Sequence, residues 1–132
     1  MAVKKLEHVG VMVRDLEVSI DFYQNVLGLD LLDRFAANET TLLAFLGDRD
    51  SGQVIVELIS GGNHAFPDEG KVHHIAFTVD HIEDEIQRLK ELKVLFSNDE
   101  ISTLANGSKY IFFKGPDGET LELFQPYRNR ID

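Results

Sequence analysis

Two histidines and two glutamates recur at matching places along this chain. His8 opens the run His-Val-Gly-Val-Met-Val-Arg-Asp-Leu-Glu-Val-Ser-Ile, and His74 opens His-Ile-Ala-Phe-Thr-Val-Asp-His-Ile-Glu-Asp-Glu-Ile, without a gap, at a spacing of 66. Val13 and Val79, Glu17 and Glu83, and Ile20 and Ile86 are identical at the same spacing. At a spacing of 65, Val56-Glu57-Leu58-Ile59 lies on Leu121-Glu122-Leu123-Phe124. The order of these matches is the same in both halves, which reads as an internal duplication. One imidazole and one carboxylate from each half make a nitrogen and oxygen donor set suited to a borderline divalent cation, with His8, Glu57, His74 and Glu122 as the candidate ligands. Four protein ligands leave two positions of an octahedral shell for water or for two substrate oxygens. The same count also closes a tetrahedral structural zinc site. The open arrangement would set a Lewis acid beside a carboxylate able to move a proton.

The elements that must carry these residues repeat as well. Residues 4–13 and 72–79 are β-rich, and Val9, Val11 and Val13 are answered by Ile75, Phe77 and Val79. A helix follows each: Leu16, Ile20, Tyr23 and Leu27 form one stripe, with Asp15 to cap it and Gly28 to end it, and Ile82, Ile86 and Leu89 form the other, with Asp80 and Glu83 at capping-box spacing. Strands are expected at 29–36, 41–47 and 53–60, and again at 93–97, 108–114 and 119–125. Residues 98–107 are a loop candidate, and 61–70 link the halves. If the valines face the helix, strand alternation turns His8, Gly10 and Met12 to the other face of the sheet, and His74, Ala76 and Thr78 likewise. Glu57 and Glu122 have that same parity on their own strands, so the four donors can converge if the modules join across it. Gly10 and Ala76 leave space beside the histidines. Met12 and Phe124 share the face and offer an apolar wall for a ligand or an interface. Asn63 and Arg14 are polar candidates for ligand contact. His73 has the opposite parity and no histidine counterpart, and is the alternative ligand to His74; His64 and His81 fall in a loop and at a helix start.

The chain has 132 residues and 14.9 kDa, which suits one domain (1–132) built from two modules, 4–61 and 71–126. A formal charge of −10 and a pI near 4.8 argue against a nucleic-acid partner. With no cysteine, disulfides, thiolate metal sites and a thiol nucleophile are excluded. No strand-linked glycine fingerprint or phosphate loop is present. No apolar run approaches membrane-spanning length, so a cytoplasmic protein without a membrane partner is expected.

The motifs Leu6-Glu-His-Val-Gly-Val-Met-Val-Arg-Asp-Leu, Ile20-Asp-Phe-Tyr-Gln-Asn-Val-Leu-Gly-Leu, His73-His-Ile-Ala-Phe-Thr-Val-Asp and Gly115-Pro-Asp-Gly-Glu-Thr-Leu-Glu-Leu resemble the vicinal-oxygen-chelate superfamily, over residues 5–125. This superfamily includes glyoxalase I, methylmalonyl-coenzyme A epimerase, fosfomycin-resistance proteins and ring-cleaving dioxygenases. The resemblance implies an α+β fold of two tandem β-α-β-β-β modules forming a curved mixed sheet around a metal cleft, and a homodimer. It carries ligand roles onto His8, Glu57, His74 and Glu122. Glutamate at position 57 favours the glyoxalase I pattern: a lyase or isomerase of the lactoylglutathione lyase type, working in methylglyoxal detoxification on a thiol-2-oxoaldehyde hemithioacetal through an enediolate. Glu122 would then abstract and return the proton, with Glu57 as ligand and second base. One divalent cation is expected per site, nickel, cobalt or zinc first, then manganese or iron. Met12 stands where bacterial glutathione-using members commonly carry arginine, and Asn63 lies beside rather than at the usual asparagine position, so the thiol is left open. The alternatives are another metal-dependent member, such as an epimerase, dioxygenase or hydrolase, and a ligand-binding protein without catalysis.

Overall fold

The computed structural model describes residues 6–61 and 72–127, which belong to two compact units, residues 1–66 and 67–132. The first unit runs β1 (Val9–Val13), α1 (Leu16–Asn25), β2 (Asp30–Ala36), β3 (Thr41–Asp48) and β4 (Gln53–Gly61). The second runs β5 (Ile75–Thr78), α2 (Ile82–Glu91), β6 (Ser102–Thr103), β7 (Lys109–Lys114) and β8 (Thr120–Gln125). Both are β-α-β-β-β modules with mixed sheets, ordered β1-β4-β3-β2 and β5-β8-β7-β6. In each, the first strand pairs in parallel with the last, and the other pairings are antiparallel.

The expected curved sheet around a metal cleft is not formed. Each module has its own open four-stranded sheet, and neither is curled or closed. Among the described residues the ladders end at β1 and β2 in the first unit and at β5 and β6 in the second, and a sheet closes only when its edges pair.

Burial alternates along β1 and through the middle of β4 as the residue types require. In β1, Val13 is fully buried while Gly10 and Met12 are exposed, and in β4, Val56 and Leu58 are fully buried. Helix α1 lies against β3 and β4 and adds Leu16, Ile20 and Tyr23 to this core. The second core joins Ile82 and Leu89 of α2 to Ile111, Phe113, Leu121 and Leu123. Asp15 caps α1, its carboxylate accepting the Val18 N–H at 3.2 Å. Gly28, at φ +75°, carries the chain out of the helix in the left-handed conformation glycine tolerates.

The second helix is started differently. Its N-cap is His81 rather than Asp80 and makes no side-chain cap bond; the Ile82 N–H instead donates to Gln125 Oε1 of β8 at 2.8 Å. The strand expected at 93–97 is reduced to a single bridge between Phe96 and Phe113, and the two-residue β6 lies inside the stretch read as a loop. The short apolar run Val94-Leu95-Phe96 suits a strand, but β7 takes its two-residue edge partner further on, at Ser102–Thr103.

Leu58 has no exposed surface and sits under α1, so Leu58→Ala is expected to lower the unfolding free energy by about 2–5 kcal/mol in denaturant titration. Val18→Ala, on the outer face of the same helix, should change it by less than about 0.5 kcal/mol.

Candidate functional site

Pairing register places each glutamate. Glu57 on β4 is opposite Gly10 on one side and Phe45 on the other; Glu122 on β8 is opposite Ala76 and Phe112. Because Val56 and Leu58 point into the core under α1, Glu57 between them points to the far face of the sheet, and Glu122 does the same between Leu121 and Leu123. The histidines precede β1 and β5 and reach the glutamates on that face. His8 Nε2 lies 3.4 Å from Glu57 Oε1, and His74 Nε2 lies 3.5 Å from Glu122 Oε1. Gly10 leaves space beside Glu57: a methyl group there would make ordinary contact with Glu57 Oε1 at 3.5 Å and a tighter one with Ile59 Cδ1 at 3.3 Å.

Both separations exceed the usual N–H···O range of about 2.7–3.2 Å. They match instead two donors of one ion, since ligands bonded at about 2.1 Å stand roughly 3.4 Å apart at the tetrahedral angle. The donor chemistry and spacing of each pair therefore fit a divalent cation. Among the described residues no group of three or more His, Asp or Glu side chains is close enough to hold a metal ion, so each unit presents a pair and not a complete cage.

The pairs differ in solvation. The Glu57 side chain is 18% exposed, against 8% for Glu122. Burial pushes the Glu122 carboxyl above its ordinary value, opposed in part by the His74 imidazole.

Aromatic rings hold the imidazoles. Phe45 meets His8 edge-on at 6.0 Å between centroids and stacks on Phe35 at 5.7 Å. Phe112 meets His74 at 5.2 Å and Tyr110 at 5.6 Å. Phe45 and Phe112 were not singled out from the sequence, although a signal existed: Leu43-Ala-Phe45-Leu lies on Tyr110-Ile-Phe112-Phe at a spacing of 67, on the strands that flank the two glutamates. A cavity of about 400 Å³ opens in the first unit beside Phe45, lined by Leu32, Asp33, Phe35, Phe45, Gly52 and Val54.

The remaining candidates fall as follows. Met12 is 40% exposed and pairs with Ile59, two positions from Glu57. Phe124 is half-buried opposite Tyr110 and Thr78. Arg14 contributes its carbonyl to a hydrogen bond from Ser60 Oγ at 3.3 Å. His73 lies against His74, with 2.9 Å between their Nδ1 atoms. Asn63 and His64 lie outside the described residues.

Paired modules of this topology, each presenting an imidazole and a carboxylate on the face away from its helix, define a duplicated α+β scaffold. The chain belongs to the Glyoxalase/Bleomycin resistance protein/Dioxygenase superfamily, which it matches over residues 5–123. It is 46% identical over 123 residues to the uncharacterized protein YwbC of Bacillus subtilis (strain 168), spanning 92% of this chain and 98% of that protein. It is 34% identical over 132 residues to a probable lactoylglutathione lyase of Vibrio cholerae serotype O1, spanning 95% of this chain and 93% of that one. Among solved structures, the trypanothione-dependent glyoxalase I of Leishmania major superposes with a TM-score of 0.75 at 26% identity, covering 93% of this chain and 87% of that one. Membership of the superfamily supports a metal-dependent enzyme, and several of its chemistries are compatible with that statement. Among the described residues no helix is long and apolar enough to cross a membrane.

The raised Glu122 carboxyl has a testable sign. Below the ordinary glutamate value both folded and unfolded chains are protonated; as pH rises through the raised value, the folded state must ionise a buried group at a cost. In chelator-treated protein, wild type is therefore expected to lose stability relative to Glu122→Gln across that window. Denaturant titrations of both proteins at several pH values check this.

Proposed function

We propose that the protein is a metal-dependent enzyme that moves a proton on a substrate carbon beside two neighbouring oxygens, and that its particular reaction is of the glyoxalase I type, isomerising a thiol-2-oxoaldehyde hemithioacetal. The observation that carries this reading is the repeated imidazole–carboxylate pair, His8 with Glu57 at 3.4 Å and His74 with Glu122 at 3.5 Å. The lactoylglutathione lyases among the relatives, such as the probable enzyme of Vibrio cholerae, support the finer assignment.

In this reading His8, Glu57, His74 and Glu122 are the ligands. A divalent cation held by them, nickel, cobalt or zinc before manganese or iron, would supply Lewis-acid stabilisation of negative charge on the two substrate oxygens. Glu122 acts as the base: its carboxylate takes the proton from the substrate carbon and returns it to the adjacent one. Its buried position suits the task, because a carboxyl raised above its ordinary value holds a transferred proton more firmly than a solvated one. Glu57, better solvated, serves as ligand and second base. The mostly apolar lining of the open Phe35–Phe45 cavity in the first unit suits a carbon substituent of a ligand.

The thiol follows from what the open face lacks. Met12 offers no charge to a substrate carboxylate, and Asp33 lines the cavity. An uncharged or cationic thiol therefore suits this face better than glutathione. A homodimer would cover exposed apolar side chains such as Met12 and Phe35.

Metal analysis of the native protein followed by isomerase assays with several thiols and metals tests the reading. Solvent deuterium should appear in the product at the former carbonyl carbon. Glu122→Gln is expected to lower kcat by about 10²–10⁴-fold at saturating metal, with a smaller change in KM. Robust epimerisation or oxygen uptake with another substrate, and no isomerisation of any hemithioacetal, would transfer the protein to another reaction of the superfamily. In the same assays Met12→Arg should raise kcat/KM for the glutathione adduct relative to an uncharged thiol adduct.

A further inference from the structure

The residue before each candidate histidine occupies the same place in the duplication: Glu7 precedes His8 as His73 precedes His74, at the spacing of 66. We propose that these are positioning residues, and that His73 accepts a hydrogen bond from His74 Nδ1–H and so presents the bare Nε2 of His74 to the cation; the inference rests on the metal reading of the same site.

The geometry allows few alternatives. Two nitrogens 2.9 Å apart hold one proton between them, so one Nδ1 donates and the other accepts. A neutral imidazole carries its proton on one nitrogen and a lone pair on the other. If His73 donates, the proton of His74 sits on Nε2, pointing toward Glu122, and that nitrogen cannot ligate. If His74 donates, Nε2 is free on the side where Glu122 Oε1 stands 3.5 Å away. A cation at Nε2 and an acceptor at Nδ1 thus select the same tautomer, and each favours the other. Packing holds the pair in place: the rings are perpendicular at 5.2 Å, and Phe112 touches both, at 5.2 Å from His74 and 6.3 Å from His73.

The first unit shows the same device with a charged partner. His8 Nδ1 is buried and receives no hydrogen bond, and Glu7 Oε1 lies 3.6 Å from it. At that distance Glu7 acts through its charge, which favours a proton on the facing nitrogen and leaves Nε2 as the donor.

The test uses zinc, which is diamagnetic, and the full-length ¹⁵N-labelled protein. Long-range ¹H–¹⁵N correlation spectra of the zinc-loaded wild type should show His74 with its proton on Nδ1, shifted downfield and slow to exchange. His73→Ala should lose that slow exchange and raise the zinc Kd about 10–100-fold. His73→Asn, whose Oδ1 can accept the same proton, should recover most of both. His74→Ala should lose more affinity than His73→Ala, and Glu7→Ala should also weaken zinc. Unchanged exchange and zinc affinity in His73→Ala, or a His74 proton on Nε2 with zinc bound, overturns the positioning role while the metal reading stands. Unchanged affinity in Glu7→Ala overturns it for the first unit. Absence of zinc binding in the wild type overturns the metal reading and this inference together.

Discussion

The arrangement depends on the two-residue period of a β-strand acting where two strands run in parallel. In the β1–β4 and β5–β8 pairs, one face is committed to the helix by Val13, Val56 and Leu58 or by Leu121 and Leu123, which have little or no exposed surface. The residues between them have only the opposite face available, and there Glu57 and Glu122 meet their histidines. A slip of one residue in either pair would bury a carboxylate under the helix, where it would find no partner, so the cost of burying a charge fixes the register that builds the site. Core and chemistry are two sides of one constraint.

That constraint is why much of the site was legible. Parity alone separated His8, Glu57, His74 and Glu122 from the core-facing valines and leucines, and the duplication paired them across the halves. Alternation cannot report curvature, however. It specifies which face is buried, whereas bending a sheet depends on edge pairing, and the two separate four-stranded ladders overturned the curved sheet. The strand expected at 93–97 shrank to one bridge for a related reason: an apolar segment becomes a strand only where a neighbour offers its backbone, and β7 pairs with Ser102–Thr103. Phe45 and Phe112 were overlooked because aromatic residues on middle strands ordinarily read as core. Their role emerges only when the cross-strand register sets them opposite the glutamates.

The duplicated halves have kept their topology and changed their local devices. Helix α1 is capped by its own Asp15, while α2 borrows Gln125 from the strand that carries Glu122. The imidazole of one unit faces a carboxylate and that of the other a second imidazole. In each case the backbone position is conserved within the repeat and the chemical solution is not. Two histidines that look equivalent in sequence consequently stand in unequal electrostatic surroundings.

The outer antiparallel strands of the two sheets, β2 and β6, also differ, and this bears on how the protein behaves when concentrated. An unpaired strand edge is a template on which another chain can add a strand. In the second unit β6 has only two residues, too few to guide such growth. In the first, β2 presents seven residues, Asp-Leu-Leu-Asp-Arg-Phe-Ala, with exposed Phe35 among them. Its defence is different: the register shift between Leu31 and Asp33 breaks the regular spacing of its backbone groups, and Asp33 and Arg34 would bring like charges together in an antiparallel self-pairing offset to align either residue with itself. Colloidal stability at the β2 edge therefore rests on two charged side chains and one irregular step in the strand.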